Sequence, residues 1–273
     1  MIALRTFIRA SIDSRIMKQR INTGGLTFSR MREENVYFVD KSMLIADLLS
    51  MDGRGVYLYT RPRRFGKTTN LTMLDAFFNI EFKGNTWFDD LEISNHPEFD
   101  RYRNAFPVIN LDLKETKADT FESYVAGLKD ALKATFDRFL YLMESDLVYD
   151  DEKETIDSVI RKTIPEYYIS DCIPLLCRML ERHHGIKPII LIDEYDHAIS
   201  EAIGSEFQNQ LMNLFGRTMG AALKNNYNLQ MAYATGLTQI AKESVSPDLN
   251  NVWVNNIFST ESDEKFGFTE AEV

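Results

Sequence analysis

Only two of the 273 residues are cysteine. Cys172 and Cys177 stand five apart in a stretch read as one helix, a spacing that suits neither a disulfide nor a metal site. Both are read as free thiols of a reducing compartment. No run of 18 apolar residues occurs, which excludes a membrane-spanning helix. The first residues lack the apolar core of a signal peptide, so a cytoplasmic chain is expected. Internal repeats and low-complexity tracts are absent as well. There are four histidines, and the pair His183 and His184 has no Cys or carboxylate at ligand spacing; it reads as a solvated helix end. Positive charge is in short supply. Lys and Arg number 31 against 41 Asp and Glu, a net charge of −10, which argues against a general nucleic-acid surface. Residues 1–32 depart from this, with seven Lys/Arg against Asp13, a local charge of +6. That start either contacts an anionic surface or is an extension upstream of a folded core.

Two stretches carry chemistry. Residues 56–68 read VYLYTRPRRFGKT, and residues 188–194 read PIILIDE. Val56, Tyr57, Leu58, Tyr59 and Thr60 suit a buried parallel strand. After the loop, Leu71, Leu74, Phe77 and Phe78 recur at helical spacing, which predicts a helix starting near Lys67. A helix N-terminus presents unpaired N–H groups and a partial positive charge, and so attracts phosphate. Gly66 allows close approach of the backbone, Lys67 reaches the β- and γ-phosphates, and the Thr68 hydroxyl binds Mg²⁺. The usual pattern, G-x-x-x-x-G-K-[ST], has its first Gly where this chain has Arg61, and Pro62 removes one N–H. Arg61, Arg63 and Arg64 then either supply charge to the phosphates or form a solvated basic loop.

The apolar run 189–192 between Pro188 and Asp193 reads as a strand buried on both faces. A carboxylate at its C-terminal end sits where open α/β sheets bind ligands. Asp193 is the expected Mg²⁺ residue, and Glu194 the expected general base that polarises the attacking water. Asp196 supports the metal or a neighbouring Arg, or else caps the helix that follows.

These residues resemble the AAA-ATPase-like family, a P-loop group allied to the AAA+ and STAND ATPases. The resemblance lies in residues 32–49, 57–74, 189–196, 234–252 and 266–273, and RPRRFGKT is itself this family's form of the loop. It implies a site for ATP and Mg²⁺ built from Arg61, Arg63, Arg64, Phe65, Gly66, Lys67, Thr68, Thr69, Asp193 and Glu194, with a sensor position near Thr235. A basic residue expected shortly after Thr235 is replaced by Thr238 and Gln239; Lys242 is the nearest cation. In the family a helical lid and often a PD-(D/E)XK nuclease-like domain follow.

The expected fold is α/β: a three-layer P-loop NTPase fold, with a parallel sheet in the order 5-1-4-3-2 flanked by helices. Strands are expected at 36–39, 56–60, 107–113, 189–192, 229–235 and, as a fifth core element, 252–258. Helices are expected at 42–49, from 67, at 121–143, 170–184, 197–203 and 207–225, with a surface excursion at 144–166. The expected division is a basic extension at 1–25, the P-loop domain at 26–268, and at 269–273 the start of a truncated lid helix, announced by the Thr269-x-x-Glu272 capping box. The expected function is a MgATP-dependent ATPase, slow in turnover, that switches a partner or effector domain. A nucleotide-gated switch without turnover, and the ATPase module of a nucleic-acid-processing or defence protein, remain open. Arg217 is a candidate finger in trans.

Overall fold

Short runs of branched and aromatic residues form the strands, and two of them, at 189–193 and 231–236, are buried on both faces. The computed structural model describes residues 19–22, 24–50, 53–224, 226–238 and 252–272. In chain order its main elements are α1 (Phe28–Glu33), α2 (Met43–Ser50), β1 (Gly55–Thr60), α3 (Lys67–Phe78), α4 (Phe99–Tyr102), β2 (Val108–Asp112) and α5 (Phe121–Asp137). Then come α6 (Asp150–Ile160), α7 (Cys172–His184), β3 (Ile189–Asp193), α8 (His197–Ala202), α9 (Gln208–Leu223), β4 (Met231–Gly236) and β5 (Val252–Asn255).

All strand pairs are parallel, in the order β2-β3-β4-β1-β5. Read from the β5 edge, this is 5-1-4-3-2. β4 lies between β1 and β3, so the C-terminal ends of those three strands stand side by side. The registers Tyr59↔Thr235 and Asp112↔Asp193 put the loop after β1, the carboxylates of β2 and β3 and the end of β4 on one edge of the sheet.

Alternation along the strands divides the core in two. Ile109, Leu111, Ile190, Ile192, Ala232 and Ala234 face one way, against α5, α6, α7 and α9. Val108, Ile189, Leu191, Met231 and Tyr233 face the other, against α1, α2 and α3. Three layers follow directly, with both faces of the sheet covered.

Several sequence expectations shift. Residues 36–39 do not form a strand; Tyr37 makes a single bridge to Ile21. The helix expected at 121–143 stops at Asp137 and tightens into a 3₁₀ turn, Leu140–Glu144. That tighter turn buries both Phe139 and Leu142. Of residues 144–166, α6 occupies only Asp150–Ile160. β5 ends at Asn255. His183 and His184 are half-buried and bonded rather than simply solvated: Ser145 Oγ lies 2.8 Å from His183 Nδ1, and Tyr141 Oη 2.7 Å from His184 Nε2. Asn225, Gln239 and Lys242, like residues 1–18, lie outside the described residues.

Candidate nucleotide site

The loop after β1 ends on Gly66, which sits in the left-handed region (φ 79°) as the cap of α3. An L side chain is strained there, and nothing stands within 4 Å of where a Cβ would be. The space over Gly66 is open, as a backbone cradle for a phosphate requires. Arg64 also takes a left-handed backbone (φ 67°), a cost of roughly 1–3 kcal/mol that the surroundings must offset.

Lys67 is buried in the first turn of α3, and its Nζ donates to Pro62 O at 3.1 Å. Burial pushes the ammonium below its usual range, while Glu194, Asp193 and Asp196 pull it back up. Thr68 Oγ1 donates to Asp193 Oδ2 at 2.8 Å, joining α3 to the end of β3. Asp193 is itself buried. Burial raises its carboxyl above the ordinary value; the Thr68 hydrogen bond opposes this, and the charges of Asp112 and Glu194 add to it. Such a carboxylate, next to other acids, is stabilised by a cation. Glu194 adopts φ 49°, which turns the chain out of the strand at the mouth of the cleft.

Arg63, Arg64, Gly66, Lys67, Thr68, Thr69 and Glu194 all line one cleft of about 650 Å³, within the roughly 300–1,000 Å³ of small-molecule sites. Its far wall is absent from the sequence reading: Asn22, Gly24, Gly25, Leu26 and Thr27 before and at the cap of α1, with Thr72, Lys114, Glu115 and His197. Thr27 caps α1, and the Gly24-Gly25 pair ahead of a Thr cap was the available signal. Lys114 and Glu115 follow β2. His197 Nε2 lies 3.5 Å from Glu201 Oε1.

Arg61 and Phe65 do not line this cleft. Arg61, expected to offer charge to phosphate, is buried against Asn255 instead. Its long stem and planar fork satisfy carbonyl acceptors beside β5. Phe65 turns its ring toward Gly267. Arg217 lies exposed on α9, away from the cleft.

Asp196 stands at the N-cap of α8 but does not cap it with its side chain. It is 1% exposed and latches the end of β4. Its carboxylate accepts Leu237 N–H at 2.9 Å, Thr238 N–H at 2.5 Å and the Thr238 hydroxyl at 2.6 Å. Tyr195 Oη also donates to Thr238 O. A Cβ on Gly236 would lie 2.5 Å from Asp196 Oδ1 and 2.6 Å from Tyr195 Cε1, so only glycine fits beneath the latch. Thr235, just before it, is fully buried, and its hydroxyl has no partner.

The donor set fits magnesium. Among the described residues no three His, Cys, Asp or Glu side chains gather into a metal cage. Mg²⁺ takes instead one or two protein oxygens, with phosphate and water completing the shell; Thr68 and Asp193 are such a pair.

A parallel sheet with a glycine-capped helix after β1 and a buried carboxylate at the end of β3 defines a P-loop-like fold. Residues 23–246 match the AAA-ATPase-like family, described as "Predicted AAA-ATPase". The match takes in most of the chain, which therefore belongs to this family; membership implies nucleotide binding. A protein of Azotobacter chroococcum mcd 1, described as "Uncharacterized protein in vnfD 5'region", is 25% identical over 267 residues. The alignment covers 94% of this chain and 44% of that protein, so the chain spans less than half the length of this relative.

Proposed function

We propose that the chain is a MgATP-binding ATPase module that turns over slowly and uses its nucleotide state to switch a partner or an attached effector domain. The observation that carries this is the Thr68 Oγ1–Asp193 Oδ2 hydrogen bond of 2.8 Å, which ties the buried Asp193 to the cleft that Thr68, Lys67 and Glu194 line. Gly66 and the first amides of α3 receive the phosphates, with Lys67, Arg63 and Arg64 supplying positive charge. Thr68 and Asp193 hold magnesium, which when bound neutralises charge building on the phosphates. Glu194 accepts a proton from the attacking water. The Gly24–Gly25 side of the cleft receives the base and sugar.

Slow turnover is favoured by the end of β4. Residues 231–238 hold no Lys or Arg, so up to Thr238 this strand end contributes no cation to the cleft. The same feature favours the second reading, a nucleotide-gated switch without turnover.

Titration calorimetry of MgATP tests binding. Lys67→Ala removes a charged contact of about 1.5–3 kcal/mol, a loss of roughly 10- to 100-fold in Kd. Equal affinity in wild type and Lys67→Ala would sink the assignment of this cleft.

A further inference from the structure

The segment after β5 is packed onto the loop between β1 and α3. Arg61, only 3% exposed, donates from Nη1 to Thr60 O at 2.9 Å and Asn255 O at 3.1 Å, and from Nη2 to Asn255 Oδ1 at 2.5 Å. Its guanidinium lies 4.6 Å from the centre of the Phe266 ring, and that ring packs 5.4 Å from Tyr59 of β1. Gly267 N–H donates to Phe65 O at 3.2 Å. Asn70, in the first turn of α3, donates from Nδ2 to Lys265 O at 2.8 Å. The far end is pinned by Glu272, 2.7 Å from the buried Lys41, whose ammonium also donates to Glu264 O at 2.7 Å.

Residues 255–272 thus hold the loop at its entry through Arg61, at its tip through Phe65, and at the helix through Asn70. The loop needs holding. It lacks the first glycine of the usual pattern, contains Pro62, and keeps Arg64 in a left-handed conformation that persists only where neighbours over-determine it. A planar fork that spans Asn255 and Thr60 while stacking on Phe266 does what lysine cannot.

We propose, building on the nucleotide-binding reading above, that Arg61 is a positioning residue of the nucleotide site, and that nucleotide binding and the docking of residues 255–272 are thermodynamically linked through it. Linkage is reciprocal: if the docked segment tightens nucleotide binding by some factor, bound nucleotide tightens docking by the same factor. The segment after β5 then carries the state of the loop to whatever it contacts.

The test uses the whole chain as wild type, Arg61→Ala, Arg61→Lys and Phe266→Leu. It measures MgATP affinity by calorimetry and amide hydrogen exchange at residues 263–267 with and without MgATP. In wild type, MgATP slows that exchange at least fivefold. Arg61→Ala and Arg61→Lys each weaken binding by about tenfold and abolish the nucleotide-dependent change in exchange. Phe266→Leu, which leaves the cleft itself untouched, weakens binding by about fivefold and keeps the test decisive should the Arg61 variants fail to fold. A charge acting directly on phosphate would be rescued by lysine, so wild-type affinity in Arg61→Lys overturns the inference. Exchange at 263–267 that ignores MgATP in a wild type that binds it also overturns it. A wild type that binds no MgATP at all overturns the nucleotide reading and this inference with it.

Discussion

Asp196→Ala opens the latch at the end of β4. The native carboxylate is 1% exposed and takes two backbone amides and one hydroxyl, at 2.9, 2.5 and 2.6 Å. Hydrogen bonds to a charged group contribute about 1.5–3 kcal/mol each, and buried donors left without a partner cost their desolvation. The three bonds share one carboxylate and do not add, so the expected loss is about 3–4 kcal/mol, as for breaking one partner of a buried charged network. Asp196→Asn keeps the shape and one accepting oxygen, and costs about half as much. Gly236→Ala attacks the same contact from the other side by pressing a Cβ to 2.5 Å from Asp196 Oδ1, an overpacking cost of about 1–3 kcal/mol. Urea unfolding followed by circular dichroism reads these losses as shifts in midpoint at constant slope. Because both changes act on one contact, the double variant loses less than the sum of the two. A loss below about 1 kcal/mol in Asp196→Ala, or full additivity with Gly236→Ala, refutes the latch.

Glu152 makes a second charged network, its buried carboxylate 2.6 Å from Nη1 of the half-buried Arg182 and 3.3 Å from Nε of the exposed Arg178. Burial alone would raise its carboxyl, but the bonds from Arg182 and the Tyr149 amide outweigh this and hold it below its ordinary 4.5. Glu152→Ala therefore destabilises by about 1–2 kcal/mol at neutral pH, because the arginines it leaves behind reach solvent. The difference from wild type is full above about pH 4.5 and shrinks as pH falls through the lowered value, as urea midpoints will show. Burial pushes the Cys172 and Cys177 thiols up to about 12, so at pH 8 both react with a disulfide reagent far more slowly in the folded chain than in urea; equal rates contradict their burial.

What the sequence made legible is local in origin. The runs around Tyr57 and Ile190 are short, apolar and bounded, and Lys67, Thr68, Asp193 and Glu194 each follow directly from a strand end or helix start. That is why strand pattern alone brought Thr68 and Asp193 to one place. Contacts set by distant segments were not legible. Arg61 read either as charge offered to phosphate or as part of a solvated basic loop; its partners, Asn255 and Phe266, lie about two hundred positions on. Asp196 read as a support for the metal or a neighbouring Arg, or as a helix cap, because nothing local reveals the approach of Leu237 and Thr238. The part of the wall formed by Asn22 and Gly25 looked like a basic extension, since only the pairing of Ile21 with Tyr37 and the packing of α1 on α3 carry it to the cleft. Residues 36–39 had strand composition but no extended partner to pair with.

Phosphate release by wild type and Glu194→Gln, measured beside MgATP affinity, tests the central claim most directly. The carboxamide keeps the shape of the side chain and cannot accept the proton, so turnover falls by about 10²- to 10⁴-fold while Kd stays within about threefold of wild type. Turnover in Glu194→Gln close to that of wild type would contradict the assignment of Asp193 and Glu194 to the hydrolytic site.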